Sequence, residues 1–486
     1  MLPDKPFLKW LKTSIFWAIM AALIYAAATL YITIHLLHDS YNTNAFDLGI
    51  FTQVLKNTLR GNFLYSTAGH NQLAHHFSPI LLVLVPIYWL FPHAQTLLVV
   101  QTLLLALSGF LIYIIAREYK FSRRASLIIQ GLFFINPLVW GVALFDFHEV
   151  VFAIPALLIM FLGMKRKNWL LFGTGLFVAL ISKEDVVMAL GVFGFVLMIS
   201  DYWQHKKVEK TSVIIFCAAV SVYGTGIAVS HLASGGESAP ILSYFTSRYA
   251  YIGQPLSLAI PLAARTIFSM GSLFLIVAYL APFAFLSLLS PKWCIPALLI
   301  LLSGILSTDP GQHSFLLQYP AAAIPFLFMA FIIVLPGVMQ NPQILMRVNK
   351  YHKGWLTFSI IVVVTICLTI NAGGRIKLAA LPDAHDAAIN AVIALVPNNA
   401  TVSTSGEIFP HLCSRTNTYL LAWEAGALIQ QAGIINGDWG FPQKETEYVV
   451  IDSGNNQMEI ANISTILKPY TLVNNIDGVL LFQLTS

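Results

Sequence analysis

Charge is what this sequence has least of. Only 10% of its residues are Asp, Glu, Lys or Arg, against roughly 25% in a water-soluble domain. That shortage excludes a soluble globular surface over 486 residues. Cysteine is scarce too, with four in the chain. Cys217, Cys294 and Cys367 lie in apolar runs and Cys413 stands apart in the polar C-terminal stretch. No disulfide framework or zinc site can be drawn from that spacing. The formal net charge of +5 does not point to nucleic acid, because the basic residues sit in short loops between apolar runs.

What is abundant is apolar length. Hydrophobic residues make up 57% of the chain, and the mean hydropathy is +0.74. Runs long enough to cross a bilayer recur throughout. The expected spans lie near 15–37, 95–116, 125–142, 149–164, 168–183, 186–200, 211–230, 266–289, 293–308, 318–337 and 355–372, about eleven in all. Lys5, Lys9 and Lys12 precede the first. It is longer than a signal-peptide core and no small-residue cleavage site follows, so it reads as a retained span.

Lys and Arg in the short loops set the orientation. With the N-terminus cytoplasmic, the inside segments hold 17 of the 27 basic residues, including the clusters Arg117–Arg124, Lys165–Lys167 and Lys206–Lys210. Residues 79–91 are apolar but too few to span at about 1.5 Å per residue. They read as a juxtamembrane or re-entrant helix in a first outer loop, 38–92. The protein is thus expected in the plasma membrane, with the stretch from Gly373 outside.

The polar groups then collect on the outer face. Residues 44–59 read as an amphipathic helix with Phe46, Ile50, Val54 and Leu55 on one side, suited to the membrane interface. Asp47 lies in its first turn, where it either complements the helix dipole or acts chemically. His70, His75 and His76 follow within seven residues. They fit either metal ligation or hydrogen bonding to substrate or backbone. The next outer turn carries Asp146, His148 and Glu149. These either bind a divalent cation such as Mg or Mn, with His75 and His76 as further ligands, or cap a helix and meet a base. Ser182-Lys183-Glu184-Asp185 lies at the outer boundary between two spans with almost no loop. Ionisable groups at such depth usually face a polar cavity, and Lys183 suits a phosphate. Weaker candidates are Arg248 and Arg265 in an aromatic outer segment, and His313 and Tyr319 in a later turn.

From Gly373 to the end (373–486) the composition changes to that of a small α/β unit. Ala384–Leu395 reads as a helix. Residues 400–404, then 408–413, and the segments 448–452 and 478–483 supply strand-like stretches. No nucleotide-binding loop or catalytic triad is visible there.

Three motifs carry a resemblance: Phe46-Asp47-Leu48-Gly49-Ile50-Phe51, His75-His76-Phe77-Ser78-Pro79-Ile80 and Ser182-Lys183-Glu184-Asp185-Val186. Together they resemble an uncharacterised family of prokaryotic predicted membrane proteins grouped with the GT-C superfamily of glycosyltransferases. The resemblance runs through most of the chain. It implies a polytopic α-helical GT-C-like domain over 1–372, with outer juxtamembrane helices in 38–92. It implies an acidic base in the first outer loop, matching Asp47. A second acidic position after the third span matches Asp146 or Glu149. A lysine contacting donor phosphate matches Lys183, with Arg248 or Arg265 beside it. The donor so implied is a polyprenyl- or dolichyl-phosphate-linked hexose or pentose, and the acceptor is a glycan, lipid or protein. Some superfamily members carry paired acids in the first outer loop, whereas here Asp47 is followed by Leu48. Two other classes stay open on the residues: a secondary transporter or lipid flippase, and a non-catalytic membrane protein binding lipid or a partner. No internal repeat of the transporter kind is visible.

Overall fold

The computed structural model describes residues 13–66, 71–235, 248–340, 380–415, 417–421, 445–453 and 470–485. The expected span at 355–372, the basic residues Lys5, Lys9, Lys12, Arg347, Lys350 and Lys353, His70, and the side chain of Phe46 lie outside the described residues.

Among the described residues, five helices are long and apolar enough to cross a membrane: Ser14–His38, Gln95–Glu118, Glu184–His205, Lys210–Ala233 and Ala323–Gln340. Two helix pairs, Arg123–Phe134 with Pro137–Leu144 and Leu256–Ile267 with Met270–Phe283, bend by 48° and 46° and bring the count to seven if each is one span. Both bends have a local cause. Asn136 caps the second half of the first pair through Leu138 N–H, and Pro137 occupies its first turn. Ser269 caps the second half of the other through Ser272 N–H. The helices Ala153–Arg166, Trp169–Leu180 and Pro291–Leu306 are shorter, at 14, 12 and 16 residues.

Neighbours in sequence pack as antiparallel pairs, Ala153–Arg166 on Trp169–Leu180 and Glu184–His205 on Lys210–Ala233. One continuous apolar core runs through them. The outside of the bundle is equally apolar: Leu170, Trp203, Leu232 and Phe268 are 76% or more exposed. Exposed side chains of that size suit contact with lipid rather than water. The bundle's basic clusters gather at one end, where Arg166 pairs with Glu118 at 2.6 Å and Lys165 lies 4.2 Å from the Tyr119 ring centroid. Acidic and histidine residues of the segments 44–47, 76–77, 146–149 and 183–184 contact one another elsewhere in the bundle. The short apolar helix expected within 79–91 is Leu81–Leu90, ten residues long.

The C-terminal region forms a five-stranded mixed sheet in the order β2-β1-β3-β5-β4. The strands are β1 (Val402–Thr404), β2 (Thr418–Leu420), β3 (Tyr448–Asp452), β4 (Tyr470–Ile476) and β5 (Val479–Leu484). β1 runs parallel to β2 and β3, and β5 runs antiparallel to β3 and β4. The turn between β4 and β5 is Asp477-Gly478, both with positive φ, the pairing that a tight hairpin of this hand needs. Helix Ala384–Leu395 packs on the sheet, started by a capping box on Asp383. Within 408–413 the structure has a short helix, Phe409–Leu412, rather than a strand, with Pro410 in its first turn.

One arrangement departs from the amphipathic expectation for 44–59. The segment starts as a π-helical turn, Ala45–Gly49, and continues as helix Ile50–Leu59. Its Phe51–Leu55 stretch is buried throughout, Gln53 included. Part of the polar side is covered because the C-terminal region docks on it, while Arg60 stays exposed. Gln53 Nε2 donates to Thr418 O at 2.8 Å, and the Lys56 ammonium donates to Ser414 O. His411 stacks between His38 and Tyr41, with centroids 4.2 and 4.0 Å apart. A Cβ on Gly49 would overlap the Phe409 ring, so only glycine lets that ring seat two residues from Asp47. Gly49→Ala is therefore expected to unseat Phe409 and raise amide exchange across 45–55 and 402–420 together. A rise confined to one of the two segments would contradict this coupling.

A histidine latch holds the sheet's far side. His385 lies 3.2 Å from Asp452 and 3.0 Å from Asp477. Burial alone would lower its pKa, but the two carboxylates outweigh burial and hold it above the ordinary histidine value. A pKa raised by folding gives stability that is complete below the unfolded value and lost as pH rises through the folded one. Amide protection of β3 and β5 should thus fall with rising pH in that window. The fall should vanish in His385→Gln. A pH-independent protection in the wild type would contradict the latch.

Candidate functional site

The site is organised by the turn 146–150, and that turn is fixed from below by an uncharged side chain. Gln101 sits buried in the middle of helix Gln95–Glu118. Its Nε2 donates to the carbonyls of Val142 and Phe145, each at 3.0 Å, and its Oε1 accepts the His148 N–H at 3.2 Å. A buried amide is costly unless its hydrogen bonds are made, and here they set the path of the turn.

Each polar residue of the turn then meets a different partner. Asp146 Oδ2 accepts the Asn44 N–H at 2.8 Å, which places its charge at the start of the π-turn carrying Asp47. His148 Nδ1 lies 3.0 Å from the Asp146 carbonyl, an acceptor only, so Nδ1 carries a proton. His148 Nε2 lies 2.9 Å from Asp47 Oδ1. The His148 ring thus bridges the Asp146 carbonyl and the Asp47 carboxylate. In this couple the His148 ring packs against both Phe145 and Phe51.

Glu149 is fully buried and lies 3.1 Å from the Lys183 ammonium. Among the described residues neither Glu149 oxygen has a further hydrogen-bond partner. Lys183 is 7% exposed and stands just ahead of helix Glu184–His205. Glu149, Glu184 and Asp185 surround it with negative charge. Lys183 therefore stays an ammonium with three donors against one close carboxylate oxygen.

Glu184 closes the next loop. Its Oε1 lies 2.6 Å from His76 Nδ1, and its Oε2 accepts the Phe77 N–H at 3.0 Å. Burial and the nearby Lys183 push the His76 pKa down to about 3, so the ring is neutral at physiological pH. Ser230 Oγ donates to Ala74 O at 2.7 Å, tying the same loop to helix Lys210–Ala233.

Lys183 and Glu184 also line a cavity of about 360 Å³, whose wall does not include Asp47, His148 or Glu149. Its polar lining includes His75, Lys183, Asp185, Arg248 and Tyr319, and its apolar lining includes Met188, Leu275, Leu299 and Leu306. Arg248 sits 5.6 Å from the Tyr319 ring centroid, within reach of a cation–π contact. The Arg248 carbonyl accepts the Thr308 N–H at 2.7 Å, and Tyr251 Oη donates to Leu306 O at 2.8 Å. These bonds hold residues 248–251 against the end of helix Pro291–Leu306.

The residues expected from sequence thus separate into groups. Asp47 and His148 form one pair, Glu149 and Lys183 a second, His76 and Glu184 a third. His75, Asp185, Arg248 and Tyr319 line the cavity with Lys183. Arg265 is exposed on helix Leu256–Ile267 and is not in the cavity wall. His313 Nε2 lies 2.7 Å from Ser307 O and closes its own turn. Among the described residues no group of three or more His, Cys, Asp or Glu is placed to hold a metal ion. Asp146, Glu149 and His76, the expected ligands with His75, take the separate partners given above. Two uncharged residues, Gln101 and the cavity residue Gln318, escaped the sequence reading, and the cavity residue Gln312 figured there only within the weak outer turn 309–313. Only Gln101 had a signal, as an amide within an apolar run.

The apolar exterior, the spanning helices and the buried ion pairs of the bundle define a multi-pass membrane protein. The chain belongs to the family described as predicted membrane protein (DUF2079), whose sequence model matches residues 37–481. No curated protein matches the chain.

Proposed function

We propose that this protein is a membrane glycosyltransferase of GT-C type, using a polyprenyl- or dolichyl-phosphate-linked sugar as donor. One observation carries the reading. The single turn 146–150 joins the Asp47–His148 couple to a buried ammonium, Lys183, in the wall of a largely apolar cavity. A buried cation beside apolar walls suits an anionic amphiphile, and a lipid phosphate is one.

The reaction follows from these roles. Asp47, backed by His148, takes the proton of an acceptor hydroxyl. The acceptor oxygen bonds to the anomeric carbon as the bond from that carbon to the phosphate oxygen breaks. The lipid phosphate leaves with the electron pair, stabilised by Lys183 and Arg248. One displacement inverts the anomeric configuration. In this reading the bundle over 1–372 carries about eleven spans with the N-terminus cytoplasmic, and 373–486 forms an extracytoplasmic domain at the plasma membrane. The acceptor is a glycan, lipid or protein.

Membranes containing the protein should transfer radiolabelled sugar from at least one polyprenyl-phosphate donor, with release of polyprenyl phosphate. Membranes lacking it should not. Absence of product across hexose and pentose donors, alongside uptake of substrate into vesicles, would replace this reading by transport.

A further inference from the structure

The ion pairs leave part of the cavity wall unexplained. Gln312 and Gln318 both line the cavity. Gln312 is 6% exposed, and among the described residues neither Gln312 Nε2 nor Gln318 Oε1 has a hydrogen-bond partner. Buried amide atoms of this kind are costly to leave unmatched.

Their placement is rigid. Gln312 lies within a short 3-10 turn, Pro310–His313, which Asp309 starts by accepting the Gly311 N–H at 2.8 Å. The turn presses on helix Pro291–Leu306 at Gly304, where a Cβ would lie 2.9 Å from the Gln312 carbonyl and 2.8 Å from Leu275. His313 locks the turn from its other side through Ser307 O. The Gln312 side chain thus projects from a backbone held in close contact.

We infer that Gln312 and Gln318 form a subsite that reads the hydroxyl groups of a sugar, separate from the cations that take phosphate. Gln312 Nε2 and Gln318 Oε1 are sealed, which leaves Gln312 Oε1, an acceptor, and Gln318 Nε2, a donor, as the accessible groups. A phosphate offers acceptors only and would leave the Gln312 oxygen unmatched. An alkyl or prenyl chain would match neither. A hydroxyl both donates and accepts, and neighbouring hydroxyls on a pyranose ring can serve two amides together. This subsite rests on the glycosyltransferase reading for its donor, but the selection of hydroxyls rests on the amides themselves.

The test compares two lipids on the full-length protein in detergent: undecaprenyl phosphate and a panel of undecaprenyl-phosphoryl hexoses and pentoses. At least one sugar-bearing lipid should bind the wild type more tightly than the sugar-free lipid. Gln312→Leu and Gln318→Leu should each weaken that lipid by about tenfold, the loss of roughly one hydrogen bond in a dry site. Both should leave undecaprenyl phosphate binding unchanged. Gln312→Glu, a near-isosteric control, should discriminate against the anionic donor. Equal weakening of both lipids would make the glutamines purely structural, and no change in either would assign the amides to water alone. Either result overturns the subsite.

Failure of the donor reading is distinguishable. If neither lipid binds, methyl glycosides at millimolar concentration should still protect amides of 309–319 from exchange in the wild type and not in Gln312→Leu. Protection there keeps the sugar subsite and discards the lipid-phosphate donor. No protection by any glycoside discards the subsite.

Discussion

Lys183→Met is expected to weaken undecaprenyl phosphate binding about a hundredfold, the scale of losing charge-assisted hydrogen bonds from a buried cation. It should also destabilise the protein by about 3–5 kcal/mol, because Glu149 is left buried without its counter-charge. The two effects can be separated. In the double variant Lys183→Met with Glu149→Gln the fully buried position 149 no longer carries an unpaired charge, so most of the stability should return. Binding should not return, since the ammonium is still missing. Thermal midpoints and lipid binding measured on the same detergent samples check both halves. Recovery of binding in the double variant would show that Lys183 serves only to neutralise Glu149.

Asp47→Asn is expected to lower sugar transfer by about a thousandfold, within the range for losing a positioned base, with donor binding unchanged. The fold should survive for a specific reason. His148 keeps its Nδ1 proton on the Asp146 carbonyl, which leaves Nε2 able to accept from the amide of an asparagine at 47. The contact is preserved while the capacity to take a proton is lost. Full transfer activity in Asp47→Asn would remove Asp47 from the chemistry and leave it as a partner that orients His148.

The sequence made some of this arrangement legible and hid the rest for physical reasons. Ionisable residues stand out against apolar surroundings, so Asp47, His148, Glu149 and Lys183 were visible as a set. Their pairing was not, because it depends on chain segments far apart in sequence. Asn44 meets Asp146 across 102 residues and His76 meets Glu184 across 108. Charge alone also overreached. Arg265 sits on an exposed helix face and His313 closes a local turn, and nothing in their spacing separates them from Arg248 and Tyr319 in the cavity wall. The glutamines show the opposite failure, since a neutral amide leaves no mark in a charge pattern.

The same contrast holds for the fold. Helix Ala384–Leu395 follows from its pattern and from Asp383, which caps it. The hairpin of β4 and β5 was only half visible. Asp477-Gly478 marks its turn, but β4 carries exposed Leu472 and Val473 beside Asn474 and Asn475, without clean alternation. The helix at 50–59 looked amphipathic because its polar side is real. That side is partly covered, since Gln53 and Lys56 find backbone carbonyls in the C-terminal region. A polar face does not say whether it meets water or another part of the chain. The same docking brings Phe409 against Gly49, so the C-terminal region bears directly on the turn holding Asp47.

The central claim is that one cavity receives a lipid phosphate beside the Asp47–His148 couple. A cryo-electron microscopy structure of the protein with undecaprenyl phosphate tests it most directly. The account predicts phosphate density within hydrogen-bonding distance of Lys183 Nζ and Arg248, with the prenyl chain running along Leu275, Leu299 and Leu306. Phosphate density at any other site, with this cavity unoccupied and Lys183 still held only by Glu149, would contradict it.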